Sequence, residues 1–137
     1  MGLLFLEVGI LESGWKISCA QHIPQTPEEV FPFFAQASNL ELITPPFLHF
    51  KILKISETSL KAGSTIDYTL LLHRIPVLWR TLISEWKPPD RFIDVQRIGP
   101  FKVWHHVHEF APVVGGTPRT SFEQAKVRVD QVEILRR

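Results

Sequence analysis

Residues 86–110, with the sequence WKPPDRFIDVQRIGPFKVWHHVHEF, carry the most informative pattern in the chain. Alternating residues on both sides of Gly99-Pro100 predict two β-strands joined by a tight turn. Side chains two residues apart in a strand lie on the same face. One face of the predicted hairpin therefore combines polar and aromatic groups, namely Asp94, Gln96, Trp104, His106, His108 and Phe110. The opposite face is also mixed, so alternation leaves open which face lines a cavity.

Length and composition favour a single domain over residues 1–137, because a chain of this size can bury an adequate core. Fifteen basic residues against fourteen acidic ones give no electrostatic reason to expect a nucleic-acid partner. Cys19 is the only cysteine, which excludes an intrachain disulfide and fits a reducing compartment. The apolar runs are too short for a membrane span. We therefore expect a cytoplasmic protein without an integral membrane segment.

The N-terminal half predicts one strand followed by two short helices. Residues 15–23 alternate between a more apolar and a more polar face, as in a half-buried strand. Thr26 and Glu29 have the spacing of a capping box, which predicts the start of a helix. Pro32 removes a backbone hydrogen bond, so we expect this helix to be short or kinked. A second short helix is predicted over residues 37–43.

The remainder of the chain predicts antiparallel strands with short connections. Three predicted strands precede the hairpin, at residues 47–55, 64–73 and 77–86, and a turn at Gly115-Gly116 follows it. Residues 118–137 fit both the two-residue period of a strand and the spacing of a helix. We predict a strand through about Val129 with a helical turn after it. Consecutive antiparallel strands with helices on one side indicate an α+β fold whose curved sheet can enclose a cavity.

A series of short motifs occurs in order between Cys19 and Thr117. They are Pro27-Glu28-Glu29-Val30-Phe31, Ile43-Thr44-Pro45, Gly63 with Ile66-Asp67-Tyr68, Pro88-Pro89 with Arg91-Phe92, Gly99-Pro100-Phe101, and Trp104-x-His106-x-His108-x-Phe110. Together they resemble the START-like, or SRPBCC, helix-grip superfamily, and within it the polyketide cyclase/dehydrase-like ligand-binding branch. The resemblance implies a curved antiparallel sheet with two short helices after the first strand. It also implies a ligand held between sheet and helices.

The sequence departs from that family after Thr117. Members continue with a strand and then a long C-terminal helix that covers the sheet, and nothing here resembles that continuation. We therefore expect the C-terminal helix to be missing or shortened. Three explanations stay open: a truncated chain, an altered reading frame, or a helix supplied by another subunit. An uncovered apolar sheet face promotes association, so a homo-oligomer is one expected consequence.

The paired histidines allow three kinds of chemistry. His106 and His108 lie two residues apart, which is compatible with two ligands of a zinc site, and Asp94 is the nearest candidate for a third. No cysteine cluster or HExxH spacing accompanies them, so we expect no metal and no cofactor. A histidine beside a carboxylate can also act as a general acid or base. We prefer the third interpretation, a polar layer within a ligand pocket.

Ligand sites are mostly apolar, with a few placed polar groups. On that basis the predicted ligand-binding residues are Tyr68, Asp94, Gln96, Trp104, His106 and His108, and no catalytic residue is assigned. The leading hypothesis is the binding of a small hydrophobic or lipid-like molecule in a cavity between curved sheet and helices. One alternative is a polyketide cyclase/dehydratase-like enzyme that uses His/Asp acid-base chemistry. The other is an incomplete domain that acts as an oligomeric interaction module.

Overall fold

A computed structural model describes residues 4–11, 14–39, 42, 46–57, 59–115 and 122–135. The strands and the main helix of these residues are β1 (Leu4–Leu11), β2 (Gly14–Ile23), α1 (Pro27–Ala35), β3 (Lys51–Ile55), β4 (Thr65–Leu72), β5 (Ile75–Lys87), β6 (Arg91–Ile98), β7 (Phe101–Gly115) and β8 (Phe122–Leu135). The strands form one antiparallel sheet in the order β1-β2-β8-β7-β6-β5-β4-β3. The predicted α+β fold with a curved antiparallel sheet is confirmed.

The predicted hairpin forms the centre of this sheet. Strands β6 and β7 pair so that Asp94 lies opposite His106 and Phe92 lies opposite His108. Strand β8 then returns between β7 and β2 and pairs with both. The hairpin therefore has neighbours on both sides, which fixes its register from two directions.

Helix α1 begins at the predicted N-cap. The Thr26 side-chain oxygen accepts a hydrogen bond from the backbone N–H of Glu29 at 3.3 Å. The Thr26 hydroxyl in turn donates to the Glu29 carboxylate at 3.2 Å. The helix is nine residues long and contains Pro32, so the expected short helix is confirmed.

The core lies where α1 crosses the sheet. Val30 and Phe31 of the helix pack against Phe92 of β6 and Phe110 of β7. The Phe31 ring meets Trp86, Phe92 and Phe110 edge-on, with ring centroids 5.2, 5.8 and 5.1 Å away. Such edge-to-face pairs add roughly 0.5–1.5 kcal/mol each beyond the burial of their area. This packing defines which side of the sheet the helix covers.

We call the helix-covered side the inner face. Alternation along each strand, together with the contacts among the side chains, shows which residues of β4 to β7 lie on this face. They are Tyr68, Trp79, Thr81, Phe92, Asp94, Gln96, Trp104, His106, His108 and Phe110. The polar-aromatic face of the hairpin is therefore the face that α1 covers. On the outer face, Arg80 donates to both carboxylate oxygens of Asp67, at 2.7 and 3.0 Å.

The predicted strand over residues 47–55 is wrong in its first half. Residues Pro46–Leu48 form a 3₁₀ turn, and the strand begins at Lys51. The reason is local, because His49 has a positive φ of 47° and its N–H donates to the carbonyl of Pro46. Both features end an extended conformation. Of the second predicted helix, Asn39 and Leu42 are helical, while residues 40, 41 and 43 lie outside the described part of the chain.

The predicted helical turn after Val129 is also wrong, because β8 stays extended to Leu135. Beyond Val129, Gln131 pairs with Ile17 on one side and with His106 on the other. A strand between two partners satisfies its backbone groups in the extended form, which outweighs a weak helical periodicity. Strand β7 extends to Gly115, and Gly116 of the predicted turn lies outside the described residues.

A long C-terminal helix does not occur among the described residues. The segment 122–135 is a sheet strand, in agreement with the expectation of a missing or shortened helix. Within the same described part of the chain, no helix has the length and apolar character that a membrane crossing requires.

Candidate functional site

Three of the predicted site residues form a compact cluster on the inner face. Asp94 of β6 lies directly opposite His106 of β7, and His108 follows two residues later on the same side. The Asp94 Oδ2 atom is 2.9 Å from His108 Nε2 and 3.5 Å from His106 Nδ1. The three side chains are only 13–22% exposed. We call them the Asp94 cluster.

Burial and hydrogen bonding act against each other on the Asp94 carboxyl group. Burial raises its pKa, but the hydrogen bonds and charges of His106 and His108 outweigh this effect and leave the pKa below its ordinary value. For His108, burial lowers the pKa, and the opposing hydrogen bond to Asp94 is the smaller influence. At neutral pH the cluster is therefore a carboxylate that accepts a hydrogen bond from a neutral His108 ring. The buried Nδ1 atom of that ring has no protein hydrogen-bond partner among the described residues.

The Asp94 cluster lies within a continuous row of rings, which we call the aromatic row. Consecutive members contact one another, with centroid separations of 4.2 Å for Phe92–His108, 4.3 Å for His108–His106, 6.1 Å for His106–Trp104, 4.8 Å for Trp104–Trp79 and 5.9 Å for Trp79–Tyr68. The row crosses from β7 to β4 along the inner face. The Asp94 cluster is therefore flanked by flat, apolar ring surfaces.

Tyr68 ends the aromatic row with a polar group. Its hydroxyl lies 3.3 Å from the Thr81 hydroxyl on β5. Burial raises the pKa of Tyr68 above its usual range; the Thr81 hydrogen bond opposes this, and the Asp94 charge adds to it. The phenol therefore stays protonated at neutral pH. Beside it, the buried Nε1 of Trp79 is a donor without a protein partner among the described residues.

Gln96 differs from the other predicted site residues. Its amide group donates to the carbonyl of Phe101 and accepts from the Phe101 N–H at 3.2 Å. These bonds join the two ends of the β6–β7 turn. Gly99 lies so close to this side chain that an added Cβ would overlap it. The Gln96 amide thus has a structural function in the turn, and a ligand contact by Gln96 stays a prediction.

Two inner-face residues near the cluster were not among the predicted site residues. Thr81 is 6% exposed and Trp79 is 3% exposed. Thr81 lies between Trp79 and Ile83 at a spacing of two residues, which places all three on one face of the strand. That spacing was the signal that could have identified Thr81 as an inner-face residue. Their nearness to Tyr68 follows from the β4–β5 register, in which Tyr68 pairs with Trp79.

No protein-family model matches the sequence, and no curated protein matches it. Solved structures do match the fold. Protein CV1439 from Chromobacterium violaceum is 17% identical and has a TM-score of 0.67, with 88% of this chain and 80% of that chain covered. TTHA0849 from Thermus thermophilus is 16% identical at a TM-score of 0.63, covering 89% and 75%. Ara h 8.0201 is 12% identical at a TM-score of 0.60, covering 88% and 78%.

At these identities the likeness shows the fold alone, and that fold fits the helix-grip architecture. A fold does not determine a function, which resides in the particular residues of a site.

The site residues of this protein offer two imidazole rings, one carboxylate and one phenol on an aromatic surface. Such a set can bind the polar end of an apolar molecule, and the Asp94–His108 pair can hold a proton. The ligand atoms of Asp94, His106 and His108 also lie within 4.8 Å of one another, close enough to hold a metal ion.

Proposed function

We propose that residues 1–137 form a single domain that binds a small hydrophobic or lipid-like molecule against the inner face. The observation that carries this proposal is the position of the Asp94 cluster within the aromatic row, on the side of the sheet that α1 covers. The apolar body of the ligand would lie along Trp104 and Tyr68. Its polar group would meet the Asp94 cluster.

The burial of the site supports this arrangement. Tyr68, Trp104 and His106 are half-buried, so each keeps part of its surface accessible, whereas Phe92 and Phe110 under the helix are buried. A ligand that covered the accessible part would gain roughly 25 cal/mol for each Å² of apolar surface removed from water. The end of the inner face away from α1 is therefore the part that supports ligand binding.

The polar groups of the site favour a particular class of ligand. A purely apolar molecule laid over His106 would bury its ring nitrogens without giving them a new partner, which costs roughly 1–3 kcal/mol. A molecule with one hydrogen-bonding group at the matching position avoids that cost. We therefore propose an amphipathic ligand, such as an aromatic compound or a fatty acyl chain with a hydroxyl, carbonyl or carboxylate group.

A substitution in the aromatic row tests the proposed surface. We expect Trp104→Ala to raise the Kd for the apolar anion 8-anilinonaphthalene-1-sulfonate at least about tenfold, or about 1.4 kcal/mol, because an aromatic wall of the site is lost. Fluorescence titration of the folded protein measures the Kd. Leu78→Ala is the control, since Leu78 is 51% exposed and lies on the outer face beside Trp79. Equal Kd values for wild type and Trp104→Ala, or an equal loss in Leu78→Ala, would count against the proposal.

A further inference from the structure

We infer that Asp94, His106 and His108 form a binding site for one divalent transition-metal ion, with Zn²⁺ as the representative case. The inference goes beyond ligand binding and does not depend on it. It rests on the mutual distances of the three side chains, on their donor atoms and on the sheet that holds them.

The distances are close to those of a coordinated ion. Zinc binds imidazole nitrogen and carboxylate oxygen at about 2.0–2.2 Å, so two ligand atoms in a tetrahedral site are about 3.4 Å apart. Here the Asp94 oxygen is 2.9 Å from the His108 nitrogen and 3.5 Å from the His106 nitrogen. All three donor atoms lie within 4.8 Å of one another. An ion placed among them requires His108 Nε2 to move away from the Asp94 oxygen by about 0.5 Å, whereas the spacing between His106 Nδ1 and Asp94 already fits.

The distance between His106 and Asp94 fits a metal site as well as a weak hydrogen bond. A nitrogen-to-carboxylate hydrogen bond is normally about 2.7–2.9 Å long. The His108 contact fits that range, whereas the 3.5 Å separation of His106 Nδ1 is long for a hydrogen bond. It is, however, close to the spacing of two ligands around an ion. The position of His106 is therefore compatible with a ligand to the same ion as Asp94.

The donor set selects the class of ion. Two imidazole nitrogens and one carboxylate oxygen suit zinc and other late first-row divalent ions, whereas Mg²⁺ and Ca²⁺ prefer all-oxygen sites. The single negative charge of Asp94 partly offsets the charge of a divalent ion.

The sheet and the neighbouring rings supply the rest of the site. Strands β6 and β7 each pair on both sides, so the three side chains are presented from a rigid scaffold. The Phe92 ring stacks on His108, and the Trp104 ring contacts His106, which limits the access of water. Three protein ligands leave at least one coordination position open, as in zinc sites that accept a further ligand. An oxygen or nitrogen of a bound molecule can occupy it.

Metal titration of the full chain tests the inference. The protein is treated with EDTA, desalted and titrated with Zn²⁺ by calorimetry and with Co²⁺ by visible absorption. We expect one equivalent to bind. His106→Ala, His108→Ala and Asp94→Asn should each weaken binding at least about 100-fold, because the loss of an outer partner alone costs roughly 10- to 100-fold. His105→Ala is the matched control, since His105 is the exposed neighbour that points to the other side of β7.

Circular dichroism of each metal-free variant shows whether it has folded. Ring-nitrogen NMR of the wild-type protein adds a readout that needs no substitution. Zinc should shift the nitrogens of His106 and His108 and leave those of His105 unchanged. The inference is overturned by a wild-type protein that binds no ion, by unchanged affinity in folded His106→Ala, by an equal loss in His105→Ala, or by unshifted His106 and His108 nitrogens.

Discussion

Phe31→Ala is expected to lower the free energy of unfolding by about 3–5 kcal/mol, the range observed when a buried phenylalanine is truncated. Phe31 is 4% exposed and is the residue through which α1 meets the sheet. Its ring touches Trp86, Phe92 and Phe110 at once. Its removal therefore leaves a cavity bounded by three aromatic rings that cannot all move inward. Because the total stability of a small domain is about 5–15 kcal/mol, this substitution should bring the protein close to unfolding.

Urea denaturation followed by circular dichroism measures the effect. Phe33→Ala is the matched control, because Phe33 lies two residues along the same helix and is 43% exposed. It should cost much less than Phe31→Ala, since less surface is buried and no comparable cavity forms. Similar losses for the two variants would show that α1 does not pack on the sheet through Phe31.

Acidification is expected to destabilise the metal-free protein, and His108 should account for much of the loss between pH 7 and 4. Burial lowers the pKa of His108 in the folded state, so below about pH 6.5 the unfolded chain takes up this proton more readily. The stability linked to His108 is therefore complete above about pH 6.5 and is lost as the pH falls through the folded-state pKa. The uptake of one proton on unfolding can change the free energy of unfolding by at most about 1.4 kcal/mol per pH unit. Asp94, whose pKa is also lowered, adds a second loss below about pH 3.9.

The free energy of unfolding, measured at several pH values in the presence of EDTA, tests this expectation. His108→Gln should flatten the pH dependence between 7 and 4, even though the substitution itself reduces stability. His105→Gln is the matched control for the substitution, because His105 is an exposed histidine on the opposite side of β7. A His108→Gln slope equal to that of the wild type would contradict the assignment of the acid-sensitive proton to His108.

The sequence predicted the central hairpin well because two independent signals agree there. Alternation over residues 92–98 and 101–110 gives the strands, and Gly99-Pro100 gives the turn. Alternation also places Asp94 on one face of β6, and His106 and His108 on one face of β7. It could not show which face the helix covers, because both faces mix polar and apolar groups. The packing of Phe31 on Phe92 and Phe110 decides that point.

Other features depend on pairing partners that the local sequence pattern does not reveal. The register that brings Trp79 beside Tyr68 and Trp104 is a property of four paired strands, and a shift of one residue would reverse every side chain. The extended form of residues 130–135 depends on pairing with both β2 and β7, which local periodicity does not reveal. The use of Gln96 in the turn depends on the position of the Phe101 backbone. Of these three cases, the strand at residues 130–135 is the one in which pairing outweighs a local pattern.

The central claim is that the inner face holds a small amphipathic molecule, and mass spectrometry tests it most directly. The purified protein is denatured, extracted with organic solvent, and the extract is compared with that of the Trp104→Ala variant prepared in the same way. We predict one amphipathic compound at near one equivalent from the wild type and much less from the variant. An empty wild-type protein, whose Tm is also unchanged by every fatty acid and aromatic ligand added, would contradict the claim.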